Sequence, residues 1–181
     1  MINTAIPMTR DLVLLGGGHT HALVLRKWGM NPLAGARLTV INPGPTAPYS
    51  GMLPGFVAGH YGRDDLDIDL VRLCRFAGAR LILGAASGVD RERGVVHVPN
   101  RPDVAYDVLS IDVGITSMMP ALPGFNAHAI PAKPLGAFAS RWDAFRKAPS
   151  GDVAVIGGGV AGTELAMAMQ FALGPQAAVR L

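Results

Sequence analysis

One pattern occurs twice in this chain: a short apolar run leads into three consecutive glycines and then into an apolar helix. The first copy, DLVLLGGGHTHALVL, begins at Asp11, and the second, DVAVIGGGVAGTELA, begins at Asp152. Gly16–Gly18 recur as Gly157–Gly159, 141 residues later. A short apolar run that ends in glycine is typical of a buried parallel strand. Two such strand–glycine–helix units predict an α/β fold.

The first copy continues as a βαβ unit. Residues 11–15 predict a strand, residues 19–29 a helix that stops at Gly29, and residues 37–41 a second strand. Such a unit gives a right-handed crossover between two parallel strands. The second copy reaches only the start of its second strand, at AAVRL, so we expect these 181 residues to be a fragment of a longer protein.

The segments between the two copies also alternate between loop, helix and strand patterns. Residues 43–63 are rich in Pro and Gly and predict a long irregular loop, which is usually functional. The sequence RDDLDIDLVRLCRFAG predicts a helix with acidic residues in its first turn and a stop at Gly78. Further predicted elements are strands at 80–84, 86–90, 94–98 and 106–113, and a helix at 136–147.

The second copy carries all three glycines of a dinucleotide-binding turn, Gly157, Gly159 and Gly162. The first glycine allows the tight turn, the second lets the backbone approach a pyrophosphate, and the third lets helix and strand pack closely. The diphosphate then lies at the amides of the helix N-terminus. We therefore predict a dinucleotide site here, with a glycine-rich turn of another α/β fold as the alternative.

The first copy keeps Gly16 and Gly18 but has His21 at the position of the third glycine. The pyrophosphate site remains plausible, with His19 at the start of the helix, but the packing must differ. His21 is either a packed, hydrogen-bonded spacer or a group beside a bound cofactor. A metal site shared by His19 and His21 is disfavoured because residues two apart do not share a helix face.

Asn42 stands at the end of the second strand, where dinucleotide-binding folds place the acidic residue that contacts a ribose. Its amide can still bond a ribose hydroxyl. The alternative is that Asn42 only forms the turn before Pro43 and Gly44.

Composition excludes several classes of protein. The net charge of +3 is spread along the chain, which disfavours nucleic acid as a partner. Cys74 is the single cysteine, so neither an internal disulfide nor a CxxC motif is available, and we interpret it as a packed residue rather than a nucleophile. No signal-peptide pattern and no membrane-spanning run stands out. These features favour a cytoplasmic protein.

Two dinucleotide motifs in one chain resemble the pyridine nucleotide-disulfide oxidoreductase superfamily, in which the first motif binds FAD and the second binds NAD(P)H. The sequence YDVLSIDVG is similar to the second FAD motif of that family, usually a strand that ends Ala-Thr-Gly. Asp112 and Gly114 stand in it here. The resemblance implies a Rossmann-like three-layer fold, with residues 1–148 in the FAD-binding domain and 149–181 at the start of an inserted, incomplete NAD(P)H-binding domain.

Within the superfamily, GGGHTHALVLRKWG, APYSGMLPGFVAGHY and SIDVGI look most like the type II NADH dehydrogenase-like branch. They resemble most closely the flavoprotein domain found fused to selenide, water dikinase. Glu164 in GTELA matches a glutamate of NADH dehydrogenases of this type. The resemblance places Tyr49, Ser50 and Gly51 near the flavin, unless they belong to an ordinary packed loop. It also brings Lys133 towards the flavin, unless that lysine is solvated.

The resemblance implies an FAD-dependent oxidoreductase that takes hydride from NAD(P)H and reduces a small-molecule acceptor such as a quinone. No protein acid, base or thiol is clearly required as a catalytic residue. Contact with the inner face of the membrane is left open for the full-length protein. The alternative is a flavin-binding accessory or redox-sensing module, without turnover, linked to a selenophosphate synthetase.

Overall fold

The structure is a computed structural model that describes Pro7 and residues 9–181. The chain divides into two compact units. Of the described residues, those up to Ala47 form the first unit together with Ile68–Gly114, and the second comprises Pro48–Asp67 and Ile115–Leu181. Each unit is built from segments that are distant in sequence.

The elements follow one another along the chain in the order of their labels. The strands are β1 (Arg10–Leu15), β2 (Ala36–Asn42), β3 (Thr46–Pro48), β4 (Asp67–Asp69), β5 (Arg80–Leu83), β6 (Gly88–Asp90), β7 (Val95–His97), β8 (Val104–Ala105), β9 (Val108–Ile111), β10 (Val153–Ala154) and β11 (Val179–Arg180). The α-helices are α1 (His19–Met30), α2 (Leu53–Ala58), α3 (Leu70–Ala77), α4 (Phe125–His128), α5 (Leu135–Lys147) and α6 (Val160–Leu173). Single 3₁₀ turns lie at Ser50–Met52, Asp64–Leu66 and Gly174–Gln176.

The first unit contains a four-stranded parallel sheet in the order β5-β2-β1-β9. At the carboxyl edge of this sheet Leu15 lies between Ile41 of β2 and Ile111 of β9. The crossover from β1 through α1 to β2 is the predicted βαβ unit. Because the strands are parallel, their carboxyl ends meet at one edge, and the first glycine loop lies there.

The two faces of this sheet pack against different layers. Leu14, Leu38 and Val40 pack against α1 and α3 in one buried cluster. Val13, Leu15 and Ile41 pack on the other face in a cluster with residues of the antiparallel sheet β6-β7-β8. The alternation follows from the two-residue repeat of a strand. The result is the predicted three-layer α/β fold.

The second unit has its own core, formed by α2, α5 and α6 with the short parallel pair β10–β11. Phe56 and Val57 of α2 and Trp142 of α5 are buried in it. The Trp142 indole N–H donates to the carbonyl oxygen of Val57 at 3.0 Å. This bond satisfies one of the last carbonyls of α2, which has no partner within its own helix.

Several predicted boundaries were wrong. Residues 43–63 are not an irregular loop, because they contain β3, a 3₁₀ turn and α2. The acidic segment is not helical throughout: α3 begins only after Asp69, whose carboxylate accepts the Arg72 N–H at 2.9 Å as the N-cap. Gly29 lies inside α1, which continues to Met30. The strand β8 was missed, and the strand predicted at 106–113 is limited to β9.

The predicted domain boundary at 148/149 stays a prediction. The compact units follow another division, because α5, which precedes that boundary, shares a core with α6, which follows it. Met169 is buried in this core, whereas Met167 is 69% exposed.

Candidate functional site

The first glycine loop joins the carboxyl end of β1 to α1. The N–H of Gly16 donates to the Ile41 carbonyl at 2.8 Å, which continues the pairing of β1 with β2. Gly16 has a φ of +93°, and a Cβ at this position would overlap the backbone carbonyl of Asp112. Only glycine fits both the left-handed conformation and the close approach of β9.

Asn42 supports the middle of this loop. Its Oδ1 accepts the N–H of Gly17 at 2.9 Å, and its Nδ2 donates to the carbonyls of Gly44 at 2.8 Å and Thr46 at 3.2 Å. The side chain is 7% exposed. The structure therefore brings Asn42 to the predicted cofactor loop, but its amide hydrogens are used within the protein. Of the two sequence interpretations, the turn-forming one agrees with these contacts.

Asp112 lies at the start of α1. Its Oδ2 accepts the backbone N–H of Thr20 at 3.1 Å and that of His21 at 3.3 Å, while its backbone carbonyl accepts the N–H of Gly18 at 3.3 Å. A Cβ on Gly18 would overlap the Asp112 carboxylate. The first amides of a helix carry a partial positive charge and bind anions. In this structure a carboxylate is the anion that they hold.

His21 is 1% exposed and lies between the glycine loop and β9. Its Nδ1 is 2.7 Å from the carbonyl oxygen of Gly16, and its Nε2 is 2.9 Å from the Oγ of Ser110. The interpretation of His21 as a packed, hydrogen-bonded spacer is confirmed by these contacts. Both ring nitrogens are engaged with protein atoms, so His21 offers no free nitrogen for a metal shared with His19.

The second glycine loop, between β10 and α6, has the pattern that the first lacks. A Cβ at Gly162 would overlap the carbonyl oxygen of Gly157, whereas a Cβ at Gly157, Gly158 or Gly159 meets no atom within 4 Å. Gly157 has a φ of +125°. Gly162, the third glycine of the motif, thus lets α6 begin directly against the loop, as the spacing of the motif predicts. The surface beside Gly157, Gly158 and Gly159 stays open.

The remaining predicted site residues lie in other parts of the chain. Gly114, with a φ of +79°, ends the first unit two residues after Asp112. In the second unit, the ring of Tyr49 covers Gly51, where a Cβ would overlap it, and Ser50 is exposed. Lys133 is half-buried and donates its backbone N–H to the Ser117 hydroxyl at 3.2 Å. Glu164 is exposed on α6.

Cys74 lies in the core between the sheet and its helices and is 2% exposed. Burial raises the pKa of its thiol to about 11, which keeps the thiol protonated and unreactive near neutral pH. Its interpretation as a packed residue is confirmed. Within the described residues, no three His, Cys, Asp or Glu side chains cluster so as to hold a metal ion.

The family model for pyridine nucleotide-disulphide oxidoreductases matches residues 10–179. The chain belongs to this family. The match includes both glycine loops, β9 and the segment from β3 to α2. FAD and NAD(P)H are the cofactors of the family. No curated protein sequence is similar enough to match.

Solved structures share the fold at low sequence identity. The NAD-dependent persulfide reductase from A. fulgidus has a TM-score of 0.73 at 22% identity, covering 93% of this chain and 33% of its own. The water-forming NADH oxidase from Lactobacillus brevis has a TM-score of 0.68 at 20% identity, covering 94% and 39%. The sulfide:quinone oxidoreductase from Aquifex aeolicus has a TM-score of 0.61 at 18% identity, covering 81% and 34%. The chain thus spans about a third of the length of these proteins.

The start of α1 in the first unit is suited to an anion, because the amides of Thr20 and His21 hold the Asp112 carboxylate. A diphosphate would have to replace that carboxylate, which also lies against Gly18. Sequence reasoning found the glycines, Asn42 and Asp112 but missed Ser110. The only signal for Ser110 is its place two residues before Asp112, near the carboxyl end of β9.

Proposed function

We propose that this chain carries the cofactor-binding loops of an FAD-dependent oxidoreductase, which takes hydride from NAD(P)H and passes electrons to a quinone or another acceptor. The observation that carries the proposal is the pair of strand–glycine–helix units, at β1–α1 and β10–α6, in a member of a family with these two cofactors. When bound, the flavin supplies the redox chemistry, and the protein orients and tunes it.

The diphosphate of FAD would lie at the start of α1, against Gly16, Gly18 and His19. Two features support this placement: the glycines of the loop have no side chains, and the positive end of the α1 dipole lies beside them. Asp112 and Gly114 would form the second FAD motif. Asn42 stands at the end of β2, where dinucleotide-binding folds place the residue that contacts the ribose. Here it would act by accepting the Gly17 N–H and so holding the loop.

The residues proposed to lie near the flavin ring are Tyr49, Ser50, Gly51 and Lys133, by resemblance to the family. Tyr49 and Ser50 provide polar tips. Gly51 allows close approach to the backbone, and in this structure the group that approaches it is the Tyr49 ring. A lysine near the flavin would stabilise an anionic reduced ring. Lys133 is half-buried rather than fully solvated, which is compatible with that role.

The second loop would hold NAD(P)H, with Gly157 and Gly159 at the diphosphate and Gly162 at the helix contact. The open surface above Gly157–Gly159 supports this assignment. Glu164 would lie in the same site, on the exposed side of the first turns of α6.

The acceptor is the least specific part of the proposal. The proteins that share this fold include a sulfide:quinone oxidoreductase, a persulfide reductase and a water-forming NADH oxidase. The fold is therefore compatible with several acceptors. We propose a small-molecule acceptor and a cytoplasmic location, with contact to the inner face of the membrane where the acceptor is a quinone. Among the described residues, no helix is long and apolar enough to cross a membrane.

The test uses two glycines that both have positive φ and serve different loops. The full-length protein is titrated with FAD while flavin fluorescence is followed, and NADH or NADPH is then added without oxygen. The variants are Gly16→Ala and Gly157→Ala. We expect wild-type protein to bind FAD and its visible flavin band to bleach with a nicotinamide. Gly16→Ala should lose FAD, whereas Gly157→Ala should keep FAD but no longer be reduced.

Reduction is then followed by adding a soluble quinone, a persulfide or oxygen, and the acceptor that restores the flavin band fastest is identified. A wild-type protein that binds no FAD would overturn the proposal. FAD binding that Gly16→Ala leaves unchanged would show that the cofactor lies elsewhere.

A second candidate function is a flavin-binding accessory or redox-sensing module linked to a selenophosphate synthetase. The similarity of residues 12–29 and 46–61 to the flavoprotein domain fused to selenide, water dikinase supports it. If this function is correct, the protein should bind FAD tightly but should not oxidise NADH continuously, whichever acceptor is added. Steady turnover in the experiment above would exclude it.

A further inference from the structure

We propose that His21 is a positioning residue for the FAD diphosphate, which replaces the third glycine of the motif by a hydrogen bond to the loop. The inference rests on the proposed FAD site at the start of α1. It begins from a difference between two loops that occupy equivalent positions in one chain.

At the second loop, Gly162 packs so close to the Gly157 carbonyl that a Cβ would overlap its oxygen. At the first loop, the equivalent residue has a Cβ and a whole imidazole ring. The ring of His21 is buried at this position, and its Nδ1 lies 2.7 Å from the Gly16 oxygen. The first loop thus has a side-chain hydrogen bond where the second loop has direct backbone packing.

This contact fixes the hydrogen on one ring nitrogen. A backbone carbonyl only accepts, so Nδ1 of His21 must donate to Gly16. In the neutral ring, Nε2 then accepts from the Ser110 hydroxyl, which lies 2.9 Å away on β9. His21 thus joins the glycine loop to the neighbouring strand through one defined tautomer.

The contact controls the peptide plane between Gly16 and Gly17. The carbonyl of that peptide is held by His21, and its N–H, on Gly17, is held by Asn42 at 2.9 Å. With both ends held, the plane cannot rotate, and the loop reaches the start of α1 in one orientation. A diphosphate that replaced the Asp112 carboxylate at the amides of Thr20 and His21 would meet a loop that is already oriented, which removes part of the cost of ordering the loop on binding.

The test compares five substitutions, four at His21 and one at Ser110, that separate the two hydrogen bonds of the ring. His21→Asn places an amide N–H near the position of Nδ1, so it keeps the bond to Gly16. His21→Gln places the amide N–H nearer the position of Nε2. His21→Ala removes both hydrogen bonds of the ring, and His21→Gly restores the third glycine of the motif. Ser110→Ala removes only the partner of Nε2.

We expect His21→Ala and His21→Gly to raise the Kd for FAD by about tenfold or more, because a buried carbonyl loses its donor. His21→Asn should stay within about threefold of wild type, and His21→Gln should not rescue. Ser110→Ala should have a smaller effect than His21→Ala. The phosphorus NMR signals of bound FAD should shift in the weakened variants and stay in place in His21→Asn.

A measurement without cofactor tests the hydrogen bond directly. Nitrogen NMR of the FAD-free protein should show a protonated Nδ1 and an unprotonated Nε2 on His21. Urea unfolding of each variant checks that affinity is compared among folded proteins. If His21→Ala does not fold, the comparison of Asn with Gln still decides between the two nitrogens.

Three results would overturn the inference: the opposite tautomer, no rescue by His21→Asn, or FAD affinity in His21→Gly equal to or above that of wild type. Failure of the proposed function is distinguishable from all three, because the wild-type protein would then bind no FAD while the tautomer of His21 could still be measured.

Discussion

The Oδ2 of Asp112 accepts the backbone N–H of Thr20 at 3.1 Å, across 92 positions of sequence. The same oxygen accepts the N–H of His21. A carboxylate of the protein thus occupies the positive end of α1, where we propose that the diphosphate of FAD binds. The two negative groups would compete for the same amides.

Asp112→Asn should therefore strengthen FAD binding while it weakens the free protein. Asparagine keeps the size of the side chain and an accepting oxygen, but it removes the charge. We expect the free energy of unfolding without FAD to fall by about 0.3–1 kcal/mol, the usual value for a charge at a helix terminus. The Kd for FAD should fall by about threefold to tenfold at low salt, and less at high salt. Both are measured by urea unfolding and by fluorescence titration.

The control for this prediction is Asp107→Asn, which makes the same charge change just before the other end of β9. The Asp107 carboxylate accepts the Asp11 N–H at 2.6 Å and does not contact the glycine loop. It should leave FAD affinity unchanged. Weaker FAD binding in Asp112→Asn would mean that the carboxylate itself supports the cofactor.

Asn42→Asp distinguishes the loop-supporting role of Asn42 from a ribose-binding one. The substitution introduces the acid that is usual at this position of dinucleotide folds. It also removes the donor to the carbonyls of Gly44 and Thr46 and buries a charge. We expect the free energy of unfolding to fall by about 1–3 kcal/mol and FAD affinity to fall with it.

Urea unfolding and fluorescence titration measure both quantities for Asn42→Asp. The same change at exposed Asn100 should alter neither. Stronger FAD binding in Asn42→Asp would favour direct contact with the ribose.

The order of the elements could be predicted because it depends on local patterns. The apolar run before Gly16 and the helical spacing after it define β1 and α1 within a few residues. The start of α3 was placed too early because the run from Arg63 to Asp69 is acidic and looks like a first helical turn. Asp69 instead caps the helix, and the preceding residues form a 3₁₀ turn and β4.

The contacts of the site could not be predicted, because they join residues distant in sequence. Ser110 lies 89 positions from His21, and Asp112 lies 91 or 92 positions from the amides it accepts. The pattern showed that His21 departs from glycine, but only the pairing of β1 with β9 shows what the imidazole contacts. Asn42 was found by its position, yet the direction of its amide depends on the turn at Gly44 and Thr46.

Gly162→Ala should destabilise the protein, although alanine is normally the better helix former. Helix propensity alone predicts a gain of about 1 kcal/mol. The added Cβ would overlap the Gly157 carbonyl oxygen, and a backbone atom cannot move aside as a flexible side chain can. We expect a net loss of about 1–3 kcal/mol in urea unfolding.

Gly158→Ala is the matched control for this loop. A Cβ there meets no atom within 4 Å, so the change should stay within about 0.5 kcal/mol. A stabilised Gly162→Ala variant would show that α6 or its loop can move to admit a Cβ.

The buried thiol of Cys74 predicts a pH dependence of stability in the alkaline range. Burial raises its pKa from 9.0 to about 11 in the folded protein. Between those values the unfolded chain loses the thiol proton first, so the folded state binds more protons and stability falls as pH rises. The loss is on the order of 2 kcal/mol by pH 11. Comparison of the unfolding free energies of wild type and Cys74→Ala from pH 8 to pH 11 cancels the other groups that titrate there.

We expect the wild-type curve to fall more steeply than that of Cys74→Ala above pH 9, and the two to run parallel below it. The same burial predicts slow reaction with iodoacetamide at pH 8 in the folded protein and rapid reaction in high urea, because the thiolate is the reactive form. Parallel curves up to pH 11, or rapid alkylation of the folded protein, would show that the helices around Cys74 open readily and that the core beneath the first glycine loop is not rigid. A rigid core is what the proposed role of His21 requires, since an oriented loop needs a fixed sheet behind it.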